Sequence, residues 1–281
     1  MQIRRKPHWL QKRVSPSAHA DMDRLLGSLQ LNTVCREAAC PNISECFRQK
    51  QATFLIMGRE CTRGCSFCNV DRQPPSPLDP AEPSRVAEAV ARLELRHVVV
   101  TSPTRDDLPD GGAGHYAATV AAIRDRSPGT AIELLVPDFQ GDEHSLATVL
   151  AAGPDILGHN IETVPRLYAI RAGADYGRSL ELLRRAVELA PRIPAKSGIM
   201  LGLGESREEA LATIAAIRAT GCRFLSIGQY LAPSRSHTPV AEFIPPEEFD
   251  RLREEALAMG FSHVESGPYV RSSYHAEQYG S

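Results

Sequence analysis

Three cysteines within eight residues constrain this chain more than any other feature of its sequence. Cys61, Cys65 and Cys68 follow a C-x3-C-x2-C spacing directly after the apolar run 52–57, which predicts a strand. Thiolates are soft ligands, and three of them this close together can bind three irons of one 4Fe–4S cluster. No further cysteine follows before Cys222. The spacing therefore predicts a cluster whose remaining iron is open to a small molecule.

The same spacing resembles the radical S-adenosylmethionine (SAM) superfamily. In that superfamily the open iron chelates the amino and carboxylate groups of SAM, and an electron from the cluster cleaves SAM to a 5′-deoxyadenosyl radical. A zinc site is the alternative for grouped cysteines, but zinc sites usually complete four Cys or His ligands. The local set stops at three thiols, which favours the iron–sulfur cluster.

A second triplet, C-x4-C-x5-C, precedes the first. It consists of Cys35, Cys40 and Cys46, and only Cys222 lies outside the two triplets. Free cysteines often act as small buried apolar residues, which is the alternative here. Polar residues surround the triplet: Arg36, Glu37, Asn42, Ser44 and Glu45. This polar setting disfavours an apolar core and predicts a second iron–sulfur cluster.

Amino-acid composition limits the kinds of protein that this chain can be. The chain has 281 residues, of which 42% are hydrophobic and 23% charged, as expected of one large globular domain. A net charge of −2 disfavours nucleic-acid binding, and no apolar window is long enough for a membrane span. Seven clustered cysteines argue against a secreted disulfide framework. The first ten residues show neither a signal peptide nor room for a transit peptide, so we expect a cytoplasmic protein.

From residue 52 onward the chain alternates predicted strands and helices. The strands are 52–57, 96–102, 130–136, 155–159, 195–201 and 223–227; the helices are 84–95 (capped by Ser84), 114–126, 143–152, 178–190, 207–220 and 246–259. This alternation predicts an α/β fold with a parallel sheet and right-handed crossovers. Six such units favour a partial (β/α)6 TIM-like barrel, with a doubly wound open sheet as the alternative.

Two extensions are expected to cover the open end of this barrel. Residues 1–51 form the N-terminal extension that carries the second triplet, and residues 52–261 form the barrel. Residues 262–281 show no strong helical period and form a tail that closes on the mouth. The chain thus divides into one catalytic domain and two covering segments.

Polar residues gather where the predicted strands end, and in such sheets the site lies at the carboxyl ends. The stretch 198–205 is similar to the superfamily's G-x-I-x-G-x-x-E motif, with Met200 where isoleucine is usual. Its glycines let the backbone approach the adenine of SAM; a simple tight turn is the alternative. The expected SAM contacts are Thr101, Asn160, Glu162, Lys196, Gly198, Gly202 and Glu205.

Several stretches, spread over nearly the whole chain, together resemble the lipoyl synthase family of the superfamily. They are 35–46, 105–112 (R-D-D-L-P-D-G-G), 159–164, 196–205 and 271–276 (R-S-S-Y-H-A). The paired triplets and the R-S-S-Y tail are the most specific of these. The chain departs from the family at Phe47, where tryptophan is expected, and at Pro103.

The resemblance implies insertion of two sulfur atoms, at C6 and C8 of an octanoyl chain linked to a lysine of a lipoyl carrier domain or of the glycine cleavage H protein. Unactivated C–H bonds are beyond side-chain acids and bases, so a cofactor must supply the reactive species. By the resemblance, the cluster of Cys61, Cys65 and Cys68 cleaves SAM. The cluster of Cys35, Cys40 and Cys46 is the auxiliary cluster and gives up its sulfides. An electron donor of the flavodoxin or ferredoxin type and iron–sulfur cluster supply proteins are implied as partners.

The resemblance also implies that a serine of the tail completes the auxiliary cluster. We expect Ser272, the first serine of the motif, rather than Ser273; an ordinary turn hydroxyl is the alternative. An alkoxide is a hard ligand on soft iron, so the iron it holds would be the easiest to lose.

Other charged residues carry weaker expectations. Around the site, Asp106, Asp107, Arg166 and Arg171 either hold SAM or are ordinary surface groups. The basic start is either a guide for an acidic carrier domain or a solvated arm. It comprises Arg4, Arg5, Lys6, Lys12 and Arg13.

Three other functions compete with this one. A biotin-synthase-like radical SAM sulfurtransferase is disfavoured by the auxiliary triplet that precedes the SAM triplet and by the serine tail. An electron-transfer iron–sulfur protein would yield no 5′-deoxyadenosine from SAM. A zinc-dependent binding module would be colourless, whereas two 4Fe–4S clusters require about eight iron and eight sulfide ions per chain.

Overall fold

The computed structural model describes residues 6–11, 20–38, 40–48 and 51–280. Of the basic start, Lys6 falls inside this range, whereas Arg4, Arg5, Lys12 and Arg13 lie outside the described residues. None of the helices in this part of the chain has the length and apolar character needed to cross a membrane.

An eight-stranded sheet, ordered as in the chain, forms the centre of the fold. Its strands are β1 (Asn32–Thr33), β2 (Thr53–Leu55), β3 (His97–Thr101), β4 (Ala131–Leu135), β5 (Ile156–Gly158), β6 (Ala195–Leu201), β7 (Phe224–Gln229) and β8 (His263–Gly267). Strand β1 runs antiparallel to β2, and every later strand pairs in parallel with the one before it. Sequential parallel strands of this kind make a partial TIM-like barrel, so the predicted α/β class is confirmed.

Nine α-helices are present among the described residues. They are α1 (Ala20–Ser28), α2 (Val34–Glu37), α3 (Ile43–Arg48), α4 (Glu82–Leu93), α5 (Ala113–Arg126), α6 (Glu143–Ala151), α7 (Tyr176–Leu189), α8 (Arg207–Ala219) and α9 (Pro246–Ala258). The first three lie in the N-terminal extension, and the other six alternate with the strands, as predicted.

Helix α4 begins earlier than the sequence suggested. Its first residue is Glu82, Pro83 stands in the first turn, and Ser84 does not cap it. The Asp79 carboxylate accepts a hydrogen bond from the Ala81 N–H (2.9 Å) just before the helix. Proline suits a first turn because its φ is already helical and its missing N–H would have no partner there. The prediction that Ser84 caps this helix was therefore wrong, because Pro83 and not Ser84 marks the start of the helix.

Most of the parallel strands are buried on both faces. All residues of β2, β5 and β7 are buried, and so are Val98–Thr101 of β3. Helix side chains such as Val86 and Val90 cover one face of the sheet. A near-continuous run of buried residues is what parallel strands show when helices cover one face and the barrel interior lies on the other.

The region predicted as tail contains one strand that the sequence did not reveal. Strand β8 pairs in parallel with β7, from Phe224 opposite His263 to Gly228 opposite Gly267. Only Val264 of its five residues is buried. Since β8 lacks the apolar run that marks the other strands, its pattern did not stand out. The barrel therefore extends a few residues into the segment assigned to the tail.

After β8 the chain crosses the sheet and meets the N-terminal extension. Asn42 donates a hydrogen bond from Nδ2 to the Tyr269 carbonyl (2.7 Å). The Tyr274 hydroxyl donates to the Glu45 carboxylate (3.2 Å). Where the tail passes β7, Gly228 leaves room for it: a Cβ on this glycine would lie 2.2 Å from the Val270 carbonyl oxygen. Residues 42–45 of the N-terminal extension and residues 269–274 of the tail are thereby held against one another.

Replacing Gly228 by alanine should displace the tail while leaving the barrel folded. The new methyl group overlaps the Val270 carbonyl, and overpacking of this kind costs about 1–3 kcal/mol. We expect trypsin or chymotrypsin to cleave after residue 267 faster in Gly228→Ala than in the parent. Gly129→Ala is the matched control, because a Cβ there meets no atom within 4 Å and its backbone is not left-handed. Equal cleavage of both variants would contradict the tail path described here.

Candidate functional site

The loop with the first cysteine triplet follows β2 at the carboxyl end of the sheet and is held from several sides. The Cys61 N–H donates to the Asp71 carbonyl (2.8 Å), which closes the loop on itself. The Thr62 N–H donates to the Thr104 carbonyl (3.0 Å), and the Ser66 N–H to that of Ile170 (2.9 Å). These bonds link the loop to the segments that follow β3 and β5, so a loop without regular structure has a defined shape.

Two buried charged side chains bind the backbone of Met57, which lies between β2 and the cysteine loop and has a φ of 65°. Its N–H donates to the Glu82 carboxylate (2.7 Å), and its carbonyl accepts from Arg105 Nη1 (3.0 Å). Arg105 also pairs with Asp107 through two hydrogen bonds (2.9 and 2.8 Å). A Cβ on Gly112 would lie 2.3 Å from Met57 Sδ. The R-D-D-L-P-D-G-G stretch thus supports the loop, and Asp107 has a structural partner.

A buried ion-pair network lies directly beside the thiols. Arg63 Nε is 2.6 Å from Asp106 Oδ2, and Arg63 Nη2 is 2.6 Å from Asp138 Oδ1. Arg178 Nε adds a contact of 2.8 Å to the other Asp138 oxygen. Burial opposes the charge of Asp138, but the hydrogen bonds and charge of Arg63 outweigh it and hold the pKa at about 2. The network joins the cysteine loop to the ends of β3 and β4.

In each triplet, neighbouring cysteines raise the pKa of at least one thiol. All seven cysteines of the chain are free. Burial, followed by the neighbouring thiolates Cys65 and Cys61, raises the pKa of Cys68 to about 11. Burial and then the charge of Cys40 raise the pKa of Cys35, also to about 11. Neighbouring thiolates destabilise each other without a cation, so each triplet is suited to a positively charged metal centre.

A cavity of about 550 Å³, the central pocket, lies next to the first triplet. Cys68 and Phe67 line it, and four of the seven expected SAM contacts do so as well: Thr101, Asn160, Glu162 and Gly198. Glu162 adopts a φ of 69°, and its carbonyl accepts from the Met200 N–H (2.8 Å). This bridge between Glu162 and β6 holds the carboxylate at the wall of the pocket.

The other three expected contacts are not brought into this pocket in the part of the chain that the structure describes. Lys196 Nζ pairs with the Glu133 carboxylate (2.8 and 3.0 Å). Glu205 accepts hydrogen bonds from the N–H groups of Gly202 and Leu203. A Cβ on Gly202 would lie 2.2 Å from Gln229 Nε2, so the glycine is needed for close packing within the turn.

The two remaining expected charged residues differ in position. Arg166 pairs with Glu209 at the surface (2.7 Å). Arg171 lies closer to the site: its Nη1 donates to the Asn160 carbonyl (3.0 Å). Burial raises the pKa of Glu162, and the charge of Arg171 acts in the opposite direction. Arg171 therefore supports the pocket wall, whereas Arg166 does not take part.

A second cavity, the auxiliary pocket, has a volume of about 630 Å³. Cys35, Cys40 and Cys46 all line it, together with Arg271 and Ser273 of the tail. All three cysteines of the second triplet and one tail serine therefore line the same cavity. No group of three His, Cys, Asp or Glu side chains among the described residues is arranged to hold a single metal ion.

The two tail serines face different surroundings. The Ser272 hydroxyl donates to Asn160 Oδ1 (3.1 Å), and Ser272 lines the central pocket only. Ser273 Oγ accepts a hydrogen bond from Thr53 Oγ1 (2.7 Å), and Ser273 lines both cavities. Ser273 rather than Ser272 therefore shares a cavity with all three thiols of the second triplet.

Sequence reasoning missed several residues of this site. Arg271 lines both cavities, and Glu82 supports Met57 from α4. Arg271 lies in the R-S-S-Y stretch, so its position next to the serines was a usable signal. Glu82 carried no signal, because a glutamate in the first turn of a helix normally faces solvent.

The fold and the first triplet together define the class of protein. The model of the Radical SAM superfamily matches residues 55–217, which include all three cysteines of the first triplet. Among solved structures, methylornithine synthase has a similar fold (TM-score 0.57, 14% identity, covering 88% of this chain and 77% of that one). The chain belongs to the radical SAM superfamily.

Full-length relatives define the family within that class. The chain is 69% identical to the lipoyl synthase of Geobacter metallireducens, over 99% of each chain. It is 68% identical to the lipoyl synthase of Geotalea uraniireducens, over 100% of this chain and 99% of that protein. The chain is therefore a member of the lipoyl synthase family, as the resemblance predicted.

Replacing Asp138 by asparagine should destabilise the protein strongly, because it leaves the buried Arg63 with a weaker partner. Breaking a buried pair of this kind costs about 3–5 kcal/mol. The free energy of unfolding in urea measures the loss. Glu88→Gln is the control: Glu88 pairs with Arg92 on the exposed face of α4, where the loss should be below about 1 kcal/mol. Similar losses in the two variants would contradict the role assigned to the network.

Proposed function

We propose that this chain catalyses the reaction of its family: radical SAM-dependent insertion of two sulfur atoms at C6 and C8 of a protein-bound octanoyl-lysine. One observation carries the proposal. Cys35 and Cys40 line the central pocket as well as the auxiliary pocket, and Cys68 lines the central pocket from the other triplet. An acyl chain in the central pocket would therefore lie between the two sets of thiols.

For the first triplet, we assign Cys61, Cys65 and Cys68 as ligands of the SAM-cleaving 4Fe–4S cluster. SAM held by that cluster would supply a 5′-deoxyadenosyl radical, the species able to remove hydrogen from unactivated carbon. Asn160, Glu162 and Gly198 form the wall that would orient SAM, and a Cβ on Gly198 would lie 3.0 Å from Asn160 Oδ1. Tyr230, which is buried, closes the same pocket and helps exclude water.

Apolar side chains supply the remaining walls of the central pocket. They include Leu55, Val70, Leu135, Ile199 and Met200. An eight-carbon acyl chain is matched by such walls, because each buried methylene contributes about 0.8 kcal/mol. A straight chain held in one position would present its carbons in a fixed order to the radical.

For the auxiliary cluster, which is a substrate because its sulfides are consumed, we assign Cys35, Cys40 and Cys46 as ligands. The contacts favour Ser273 as the ligand from the tail; Ser272, which the sequence favoured, stays a prediction that the variants below test. A serine oxygen matches soft iron poorly, which suits an iron that must be released when sulfide is withdrawn.

The proposed reaction also defines partners. The octanoyl chain arrives on a lipoyl carrier domain or on the glycine cleavage H protein, and an electron donor of the flavodoxin or ferredoxin type reduces the SAM-cleaving cluster. Iron–sulfur supply proteins would rebuild the auxiliary cluster. Free thiols throughout the chain support a reducing compartment, and we propose the cytoplasm.

Anaerobic incubation with SAM, a reductant and an octanoylated lysine peptide tests the function. We expect the peptide to gain two sulfur atoms with its hydrogen count unchanged, because two C–H bonds become two C–SH bonds under the reductant, with two molecules of 5′-deoxyadenosine formed per product. Formation of 5′-deoxyadenosine without any sulfur in the peptide would indicate a different radical enzyme. Absence of 5′-deoxyadenosine from protein that holds both clusters would indicate an electron-transfer protein.

Cysteine variants should separate the two clusters. Cys68→Ala should abolish 5′-deoxyadenosine formation, because the SAM-cleaving cluster loses a ligand. Cys46→Ala should still cleave SAM but should insert no sulfur. Each variant should retain about four iron ions per chain instead of about eight. If Cys46→Ala also lost SAM cleavage while keeping four iron ions, the assignment of the triplets would be wrong.

A matched pair of serine variants distinguishes the two candidates for the tail ligand. Ser273→Ala should remove the oxygen that borders the second triplet, so chelators should strip iron from the auxiliary site faster than in the parent. Ser272→Ala should leave iron loss unchanged and lose only the hydrogen bond to Asn160. Iron release to a colorimetric chelator, without turnover, measures both. The opposite order of effects would favour Ser272.

A further inference from the structure

The last part of the tail is held at the opposite end of the sheet from the first cysteine loop. Tyr279, which is 4% exposed, lies in the 3-10 helix Ala276–Gly280. Its ring centroid is 5.3 Å from that of Phe224 and 4.6 Å from that of His263. Phe224 and His263 are the first residues of β7 and β8. Tyr279 therefore lies at the amino ends of these two strands.

Tyr279 covers a buried charge there. Lys196 Nζ lies 3.7 Å from the centroid of the Tyr279 ring, a cation–π distance. The lysine is 1% exposed and pairs with Glu133, which has no exposed surface. His97 Nε2 approaches the second Glu133 oxygen at 3.5 Å. Lys196, which belongs to the 196–205 stretch, thus contacts the tail and does not line the central pocket.

The chemistry of the pair explains why an aromatic ring suits this position. Burial by itself would raise the pKa of Glu133, but the charge of Lys196 lowers it overall, so the carboxylate stays ionised. The hydrogen bonds of Lys196 Nζ in the described part of the chain go to the two Glu133 oxygens, and a buried ammonium is stabilised by further partners. The π face of Tyr279 supplies such a partner at a buried site, where cation–π attraction is stronger than at the surface.

The tail is held on both sides of its serines. On the N-terminal side of the serines, strand β8 pairs with β7. On their C-terminal side, the Tyr279 ring packs against Lys196 Nζ. Between these points the contacts include hydrogen bonds of Ser273 with Thr53 (2.7 Å) and of Tyr274 with Glu45 (3.2 Å). A tail held at one end only would leave the serines free to move away from the auxiliary pocket.

We propose that Lys196 and Tyr279 form a tail anchor that positions residues 271–276 at the auxiliary pocket. Lys196 is thereby a positioning residue for the reaction, a role that rests on the proposed function of the tail serine. An oxygen ligand that binds iron weakly depends on the chain to hold it nearby, because a high local concentration replaces intrinsic affinity. The anchor also accounts for a buried lysine in the barrel that has no contact with the central pocket.

Hydrogen exchange of the tail tests the anchor on the full chain with both clusters loaded and without substrate. Tyr279→Leu keeps an apolar side chain but removes the π face; amides of residues 269–276 should then exchange about tenfold faster. Tyr279→Phe keeps the ring and loses only the hydroxyl bond to the Leu225 carbonyl (3.3 Å), so exchange should match the parent. Unchanged exchange in Tyr279→Leu, or equal acceleration in both variants, overturns the anchor.

Iron release supplies the readout for positioning. In Tyr279→Leu, chelators should remove auxiliary iron faster than in the parent, and Tyr279→Phe should behave as the parent. Faster exchange with unchanged iron release would overturn the positioning role. Neither measurement needs turnover, so failure of the octanoyl peptide assay would speak against the proposed function alone.

Discussion

A loop can present three thiols to one cluster only if its backbone is held in one shape, and the loop 61–68 has no regular structure of its own. Its shape depends on the buried pairing of Arg63 with Asp138 and on the two charged side chains that satisfy the backbone of Met57. Buried charges of this kind are expensive unless they are fully paired. Here Arg63 joins the cysteine loop to the segments that follow β3 and β4. The loop is therefore fixed to the barrel.

The auxiliary site depends on a different constraint, because the ligands proposed for it come from segments on either side of the barrel in the sequence. The second triplet lies before the barrel, and the tail serines lie after it. Gly228 permits the tail to cross β7, and Asn42 and Glu45 hold it to the N-terminal extension. The site is thus assembled from segments far apart in the sequence, and hydrogen bonds between the tail and the N-terminal extension keep them together.

The sequence predicted those parts of the molecule that local spacing determines. Cysteine spacing identified both triplets, and apolar runs identified six parallel strands. Strand β8 was missed because only Val264 of its residues is buried. Lys196 was assigned to SAM because it sits on a strand of the site, but spacing does not tell which end of the barrel a side chain reaches. The serines posed a similar problem: both border the central pocket but only Ser273 borders the auxiliary pocket, and only the path of the tail distinguishes them.

We propose that the two triplets hold two clusters with different fates, one that cleaves SAM and one that supplies sulfur. Loading the clusters with isotopically heavy sulfide, removing free sulfide and following the first turnover by mass spectrometry of the octanoyl peptide tests this. We expect both sulfur atoms of the product to be heavy. A product with sulfur of natural abundance would contradict it, because the sulfur would then come from solution and not from the cluster that Cys35, Cys40 and Cys46 hold.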